Sequence, residues 1–390
     1  MKLELSQLPP RNEVKKDPQK GIFNNGSDNA YPQRIERIIN SSVTAKTSVE
    51  MLRKFIIGDG FEDTALNSIV VYSDFMGKTT LYKLLSQIAD PISKHKGAFL
   101  EIQWTGNAQI SAVKHLPYRY GRFGKADSLG YSGKVHVCDE WEGSKIGYKP
   151  KNVKVLDVYN PIKEVVLDQF KQENWTGQVA FMRLDDEYVY PLSFIDPVIE
   201  DADTESQISS FKNGELRTGF FAKYILFHTE YTDKADEDAF KSVLKKFQGG
   251  EHQGSILLAD AQFDSEGKFI ASSTFDLKKI EQNIDDKIFE SYEQSVANNI
   301  RKAVCAIPKI LIDSSDNTMF GTSGAAFTEA FNFFNTQTSD IRSAISQWLK
   351  DIFSHSDNEV LRNANFNIKQ KSYGTVDVSG PAANQTAGQK

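Results

Sequence analysis

The segment YSDFMGKTT, between an apolar strand and a helix, carries the strongest sign of chemistry in the sequence. Lys78 and its two neighbours match the G-K-[ST] core of a phosphate-binding P-loop. Asp260, at the end of the apolar run ILLAD, would supply the acidic Mg²⁺ ligand of an ATPase. The match fails at the first position of the loop, because Tyr72 stands where a P-loop needs a glycine that turns tightly around the phosphates. The sequence therefore favours a helix N-terminus capped by Thr79 or Thr80, with a P-loop ATPase as an alternative.

Two acidic segments are candidates for a pair of carboxylates in general acid–base catalysis. They are DADTE, residues 201–205, and DKADED, residues 233–238, and each falls in a predicted helix with an apolar face opposite the acids. Acids in this pattern are usually solvated, or face a channel, on the polar side of a helix. We therefore predict no catalytic pair and no enzymatic activity.

One patch that is both basic and aromatic is a candidate for contact with nucleic acid. Its members are Arg119, Arg122, Lys125, Tyr118, Tyr120 and Phe123. Cationic side chains bind phosphates and stack on rings. The position of the patch in a strand-rich region favours instead a surface of a β domain or a contact between subunits.

The sequence predicts neither a metal site nor a disulfide. Cys138 and Cys305 lie far apart, and the six His are scattered without the clustered spacing of a metal site. We expect two buried thiols, no metal and no cofactor. The first residues lack the apolar core of a signal peptide, and no apolar run reaches the ~20 residues of a membrane span, so we expect no membrane contact.

The charge of the chain bears on its relation to nucleic acid. The formal net charge is −6, and acids and bases are interspersed. Tight binding to DNA depends on Lys and Arg that neutralise phosphates. The composition therefore argues against a basic DNA-gripping surface and is compatible with a protein that lets DNA slide past.

Hydrophobic periodicity predicts alternating helices and strands between a polar arm at residues 1–30 and a polar C-terminal stretch. Predicted helices cover residues 34–57, a segment ending at Asp90-Pro91, and residues 193–213, 232–250, 276–306 and 327–352. Residues 97–190 are strand-rich, and the runs GFFAKYILF, GSILLADAQ and KFIASSTF are further strands. Pro308 ends the helix at 276–306, and a Gly-, Ser- and Asp-rich loop follows it to residue 324.

Four segments in this order resemble the portal family of tailed bacteriophages. They are FKNGELRTGFF (211–221), AFKSVLKKFQGGEHQGSILLAD (239–260), IRKAVCAIPKILI (300–312) and FTEAFNFFNTQTSDIRSAISQWLKDIF (327–353). They are similar to the exit from the first stem helix, the clip, the approach to the tunnel loop and the wing helix of that family. The opening run AYPQRIERIINSS with LRKFIIGDGF is similar to its first helix and Gly-rich turn.

The resemblance implies an α+β portal-like subunit that assembles into a ring, typically of twelve copies. It divides the chain into an arm (1–30), a β-rich wing (31–192), a first stem helix (193–213) and a small α/β clip (214–275). A second stem helix (276–307), a tunnel loop (308–324), a wing helix (325–355) and a short C-terminal segment (356–390) follow.

The same resemblance implies two functional surfaces. Channel DNA would meet the tip of the tunnel loop, at Ser314, Ser315, Asp316, Asn317, Thr318 and Met319. The packaging terminase and the head–tail adaptor would dock on the clip, at Tyr231, Asp233, Lys234, Asp236, Glu237 and Glu251. The other implied partners are double-stranded DNA and the major capsid protein, and the implied location is the portal vertex of a virion, after synthesis in the bacterial cytoplasm. Another ring-forming phage or injection-machine structural protein remains an alternative.

Overall fold

The computed structural model of the chain describes residues 16–17, 21–125, 132–139, 141, 152–218, 224–228, 275–279, 286–313 and 324–373. Its internal contacts divide the chain into two units. The first consists of Met1–Ile199 together with Asn299–Lys390, and the second is Glu200–Asn298.

The described helices and strands alternate along the chain. The α-helices are α1 (Tyr31–Ser41), α2 (Val43–Ile57), α3 (Leu81–His95), α4 (Lys163–Gln169), α5 (Ile199–Thr218), α6 (Asp286–Ala303), α7 (Gly324–Gln337), α8 (Ser339–Phe353) and α9 (Glu359–Arg362). The strands are β1 (Lys16–Asp17), β2 (Ile22–Phe23), β3 (Val70–Asp74), β4 (Gly77–Thr80), β5 (Gly97–Trp104), β6 (Ile110–Leu116), β7 (Gly121–Phe123), β8 (Lys134–Val137), β9 (Lys154–Val158), β10 (Gln178–Arg183), β11 (Tyr224–His228) and β12 (Phe275–Lys279).

A six-stranded sheet with the order β6-β5-β10-β9-β8-β7 organises the first unit. Neighbouring strands are antiparallel, except that β9 and β10 run parallel. Phe99 is the register partner of both Leu116 and Phe181, so these three side chains share one face of the sheet. They pack with Val135 and Leu156 into an apolar cluster. The strands predicted between residues 97 and 190 are present.

The helix predicted at residues 34–57 is in fact two helices, α1 and α2. Ser42 separates them in an extended conformation, and its side chain accepts a hydrogen bond from the backbone N–H of Ala45 at 3.0 Å. A buried serine with this bond is an N-cap, which begins a new helix. The sequence pattern hides the break because apolar residues recur at helical spacing on both sides of it. As predicted, Gly58 ends α2.

The predicted stop of α3 at Asp90-Pro91 is also wrong, because the helix continues to His95. Pro91 removes one backbone donor and costs about 3 kcal/mol in a helix interior. Ile88 and Ile92, on either side of the proline, are fully buried. Burial of large aliphatic side chains contributes about 1.5–3 kcal/mol each, which outweighs the missing hydrogen bond.

The long helix predicted from residue 276 is described as α6 over Asp286–Ala303. Residues Phe275–Lys279 instead form β12, which pairs antiparallel with β11. Leu277 fits the helical period of the apolar residues that follow it, but it lies in β12, whose partner strand is distant in sequence and cannot be found by periodicity. Residues 224–227 of the strand predicted at 219–227 lie in β11, and α5 extends past Gly214 to Thr218 because a helix tolerates one glycine at about 1 kcal/mol.

The helix predicted at residues 327–352 is divided at Thr338 into α7 and α8. The buried Arg342 joins this corner to α2. Its guanidinium donates to the carbonyl oxygens of Phe55 and Asn335 at 3.0 and 2.7 Å, and to the Thr338 hydroxyl at 2.6 Å. The corner is therefore held by a buried polar contact as well as by apolar packing.

Candidate functional site

The tip residues of the predicted tunnel loop lie outside the described residues, as do the predicted docking residues of the clip. The loop-tip residues are Ser314, Ser315, Asp316, Asn317, Thr318 and Met319, and the docking residues are Tyr231, Asp233, Lys234, Asp236, Glu237 and Glu251. Asp260, and the predicted helix and strands between residues 229 and 274, lie outside them as well. The described residues show how the ends of the predicted loop are held.

The first end of this loop follows an abrupt end of α6. Cys305 and Ala306 have left-handed backbone angles, with φ of 53° and 51°, and the N–H of Ile307 bonds the carbonyl of Arg301 at 3.1 Å. This arrangement ends a helix by satisfying its last carbonyls. Pro308 follows, so the predicted break is correct in position.

The loop is shorter than the irregular segment predicted for residues 309–324. Residues Lys309–Leu311 form a 3-10 turn, and the N–H of Asp313 bonds the carbonyl of Lys309 at 2.9 Å. Helix α7 begins at Gly324 and contacts the 3-10 turn. Both ends of the remaining segment, residues 314–323, therefore start from ordered elements of the first unit that touch each other.

Helices α5 and α6, predicted as the two stem helices, are both present, but α5 begins at Ile199 after a 3-10 turn at Asp196–Val198 and not at Ser193 as predicted. Lys212 on α5 forms an ion pair with Glu293 on α6 within the second unit. On the predicted apolar stripe, Val296 and Ile300 of α6 and Val304 just after its end are buried. Tyr292 was predicted on the same stripe, but it is 59% exposed.

The acidic segment at residues 201–205 lies on α5. Asp203 is exposed, whereas Ala202 and Ile208 are buried. The carboxylate of Asp203 accepts a hydrogen bond from the Gln207 side chain one turn later at 2.5 Å. This is the geometry of a polar helix surface opposite small apolar contacts, as predicted.

The G-K-T segment forms a β-hairpin, which contradicts the P-loop interpretation. β3 and β4 pair antiparallel with Tyr72 opposite Thr79, and Lys78 is exposed on β4. In a P-loop these residues curve around phosphate and begin the helix, but here they run extended in a strand. Thr80 caps α3 by accepting from the N–H of Lys83 at 3.3 Å, which confirms the predicted cap.

The basic and aromatic patch is buried at its centre. Arg122 is fully buried and donates to the side chain and carbonyl of Asn29 at 2.5 and 2.9 Å, and to the carbonyls of Arg119 and Gly121 at 3.0 and 2.8 Å. Its guanidinium also lies 5.5 Å from the ring centroid of Trp141. Burial lowers the pKa of Arg122 to about 10. For Arg122, both the favoured position at a surface or subunit contact and the alternative of a nucleic-acid contact are therefore wrong, since its donors are used inside the fold.

A group of titratable residues that the sequence pattern did not reveal lines a cavity of about 150 Å³ in the first unit. Its charged or titratable members include Glu36, Asp90, Lys94, His95, His115 and Arg119. Burial lowers the pKa of His95, and burial lowers the pKa of His115 to about 4, so both imidazoles are neutral at pH 7. His95 also stacks on the Tyr118 ring with centroids 4.6 Å apart. The members come from α1, α3, β6 and the segment after it, and their spacing in sequence gives no motif.

The two cysteines are free thiols. Cys138 is buried as predicted, whereas Cys305 is only partly buried, and burial raises its pKa to about 11. Within the described residues, no three His, Cys, Asp or Glu side chains come together as a metal site. Among the described helices, none has the length and apolar character that a membrane crossing requires.

Solved structures of assembled particles contain chains of similar fold, and a crystal structure of an isolated protein gives a match with a TM-score under 0.5. A chain from the neck of a native gene transfer agent particle with C12 symmetry matches at 11% identity and a TM-score of 0.51, over 84% of this chain and 82% of its own. A chain from the virion of a native gene transfer agent particle matches at 12% identity and a TM-score of 0.50, over 82% and 80%. A portal protein of the HK97 phage family from Corynebacterium diphtheriae matches at 12% identity and a TM-score of 0.48, over 81% and 89%.

No protein-family model and no curated protein matches the sequence. The likeness to the neck and virion chains confirms the α+β fold predicted from the order of elements. At this level of identity the likeness shows the fold alone, and function has to be argued separately.

Proposed function

We propose that this chain is a portal subunit of a tailed phage or phage-like particle. The observation that carries the proposal is the likeness of fold, over 84% of the chain, to a chain in a particle neck of C12 symmetry. In this role a ring of subunits, twelve in number, forms the channel at one vertex of the capsid. Double-stranded DNA enters through the channel during packaging and leaves through it toward the tail.

The charge of the chain supports a channel rather than a DNA-binding surface. Each Lys or Arg that contacts a phosphate adds counterion release to the affinity, and a tight grip would stop translocation. The formal net charge is −6, and the most basic patch of the sequence uses Arg122 inside the fold. The chain itself supplies no ATPase in this proposal, because Lys78 lies in a hairpin strand. The energy for packaging comes from an ATP-hydrolysing terminase.

Each of the two units has its own role in the proposed portal subunit. Unit Glu200–Asn298 contains most of both stem helices and the paired strands β11 and β12, which fits a stem with a clip at its end. The clip binds the large subunit of the terminase and later the head–tail adaptor, through Tyr231, Asp233, Lys234, Asp236, Glu237 and Glu251. The first unit forms the wing, next to the major capsid protein. The protein is made in the bacterial cytoplasm and ends in the virion.

The proposed tunnel loop touches DNA at Ser314, Ser315, Asp316, Asn317, Thr318 and Met319. Its first end follows a left-handed helix stop and a 3-10 turn, and its second end is a helix that contacts the turn. A polar, weakly acidic loop on such a rigid base can meet DNA without holding it.

Deletion of residues 314–319 tests this role. We expect rings to assemble as in the wild type, because both anchors of the loop remain, and DNA content per particle or its retention to fall several-fold. Ring assembly is measured by electron microscopy and DNA content by quantitative PCR of nuclease-treated particles. The matched control replaces the same six residues by Gly and Ser at constant length. It distinguishes the effect of a shorter loop from the effect of the lost side chains. Normal DNA content and infectivity in the deletion would favour a different ring-forming structural role.

A further inference from the structure

An exposed apolar pair sits at the tip of the hairpin formed by β3 and β4. Phe75 is 97% exposed and Met76 is 82% exposed. Asp74 accepts a hydrogen bond from the N–H of Met76 at 2.9 Å, and Gly77 completes the turn with a φ of 124°. Two large apolar side chains fully in water at a well-formed turn favour a partner that buries them.

The same chain carries an apolar groove at the edge of the apolar cluster that covers the Phe99 and Phe181 face of its sheet. The groove has a volume of about 440 Å³, and its apolar lining includes Phe123, Val158, Val179, Phe181 and Trp348. The rings of Phe123 and Phe181 meet edge to face, with centroids 5.1 Å apart. Both side chains are only partly buried, so the floor of the groove offers aromatic surface to an incoming side chain.

We propose that Phe75 and Met76 of one subunit insert into this groove on the next subunit of the ring. The proposal rests on the ring function proposed above. An almost fully exposed Phe75 does not fill the groove of its own chain. A tip and a groove at different places on one surface make a heterologous contact, and repetition of such a contact closes a ring.

Charges beside the tip and the groove are complementary. Asp74 and Lys78 flank the apolar pair on opposite strands of the hairpin. At the rim of the groove, Arg183 forms an ion pair with Asp186 at 2.6 Å. An inserted tip can therefore place its acid toward Arg183 and its base toward Asp186, which sets the direction of insertion.

A second groove, of about 670 Å³, fits the tip poorly. Its lining is mainly polar and includes Arg342, Ser346, Gln347 and Lys350. Burial of a phenylalanine there would remove polar groups from water without replacing their hydrogen bonds.

The area that the hairpin tip can bury is too small to hold two subunits together without further contacts. An aromatic side chain buries about 150–250 Å², whereas a stable interface buries about 1,200–2,000 Å² in total. The tip is therefore an anchor within a larger subunit interface, of the kind whose removal weakens association strongly.

The double substitution Phe75→Ser with Met76→Ser tests the contact. These side chains are exposed in the single chain, so we expect an unchanged melting temperature of the monomer. We expect the fraction of chain in rings, measured by sedimentation velocity, to fall about tenfold or more, as for an interface anchor. The matched control is Val43→Ser, which removes a 72% exposed apolar side chain from α2 and leaves ring formation unchanged.

A cysteine pair gives a second, direct measurement. Met76→Cys combined with Val189→Cys, at the groove, is oxidised in assembled rings and separated under non-reducing conditions. We expect a ladder of covalent multimers from the double variant and none from either single variant. The single variants are the controls for disulfides that would involve the native Cys138 or Cys305.

The outcomes separate the two proposals. A wild-type chain that forms no rings overturns both. Wild-type rings together with normal assembly of the double serine variant and no ladder overturn only the insertion. Normal rings that fail to enter particles would assign the tip to another protein of the particle and likewise overturn insertion between subunits.

Discussion

At the scale of single residues, Arg122 holds the N-terminal region of the fold against the sheet. Its four hydrogen bonds reach Asn29, which is 93 residues away in sequence, and two carbonyls near its own strand. A planar guanidinium with five donors suits this task, and a lysine ammonium cannot reproduce its geometry.

We expect Arg122→Lys to lower the free energy of unfolding by about 3 kcal/mol, because buried carbonyls lose their donors at about 1–3 kcal/mol each. Urea denaturation of the full chain measures the change. The control is Arg34→Lys, at a half-exposed arginine that pairs with Asp28 at 3.5 Å, where we expect a change within about 0.5 kcal/mol. Equal effects of the two substitutions would contradict the role of Arg122.

His115 makes the stability of the fold dependent on pH. Its pKa falls from 6.5 to about 4 on burial, so between these values the unfolded chain binds a proton that the folded chain does not. Stability contributed by the neutral form is therefore present above pH 6.5 and is lost as the pH falls toward 4, by at most about 3 kcal/mol. We expect His115→Gln to flatten the fall in unfolding free energy between pH 6.5 and 4. Parallel curves for the variant and the wild type would show that another group is responsible.

The sequence could identify the residue types of these sites but not their surroundings. Arg119, Arg122 and their aromatic neighbours form a visible patch, yet burial of Arg122 depends on Asn29 and Trp141, which no local pattern connects to it. The cap at Thr80 was predictable, because capping depends on residues within one turn.

At the scale of elements, the end of α2 depends on one glycine. Gly58 has φ 58° and ψ −138°, and a Cβ at this position would lie 1.9 Å from the carbonyl oxygen of Lys369. The C-terminal segment binds here through backbone bonds of 3.2 Å from Asp59 to Lys369 and 2.8 Å from Lys369 to Gly60. The two segments can approach this closely because no side chain stands between them.

We expect Gly58→Ala to destabilise the chain by about 2–5 kcal/mol, from left-handed backbone strain together with overpacking. Gly21→Ala is the matched control, since Gly21 also has a positive φ of 66° but open space around its Cα, and we expect only the strain of about 1–2 kcal/mol. Chemical denaturation compares the two variants. A similar decrease in the free energy of unfolding in both variants would mean that the overlap with the carbonyl oxygen of Lys369 does not contribute.

Elements were predictable from sequence where local signals decide them. Most strands of the large sheet and the positions of helices α5 and α6 followed from periodicity. The helix boundaries at Ser42, Pro91 and Thr338 did not, because burial and capping override propensity there. The strand at 275–279 was missed, because its partner at 224–228 is about fifty residues away in sequence.

At the scale of the whole molecule, the order of elements carried more information than any motif. The predicted order of an acidic helix, a small α/β module, a long helix ended by a proline, a loop and a Phe-rich helix agrees with the α+β fold that the comparisons show. Contacts such as the bridge between Ile110 and Ser356 close this fold, and they join parts that are too far apart in sequence to be predicted one by one.

The central claim is that the chain forms a ring with a channel wide enough for DNA. Electron microscopy of the purified full-length protein, with sedimentation velocity over a series of ionic strengths, tests it most directly. We expect closed rings with about twelve-fold symmetry and an axial channel. Only monomers or dimers under all ionic conditions, or closed particles without a central channel, would contradict it.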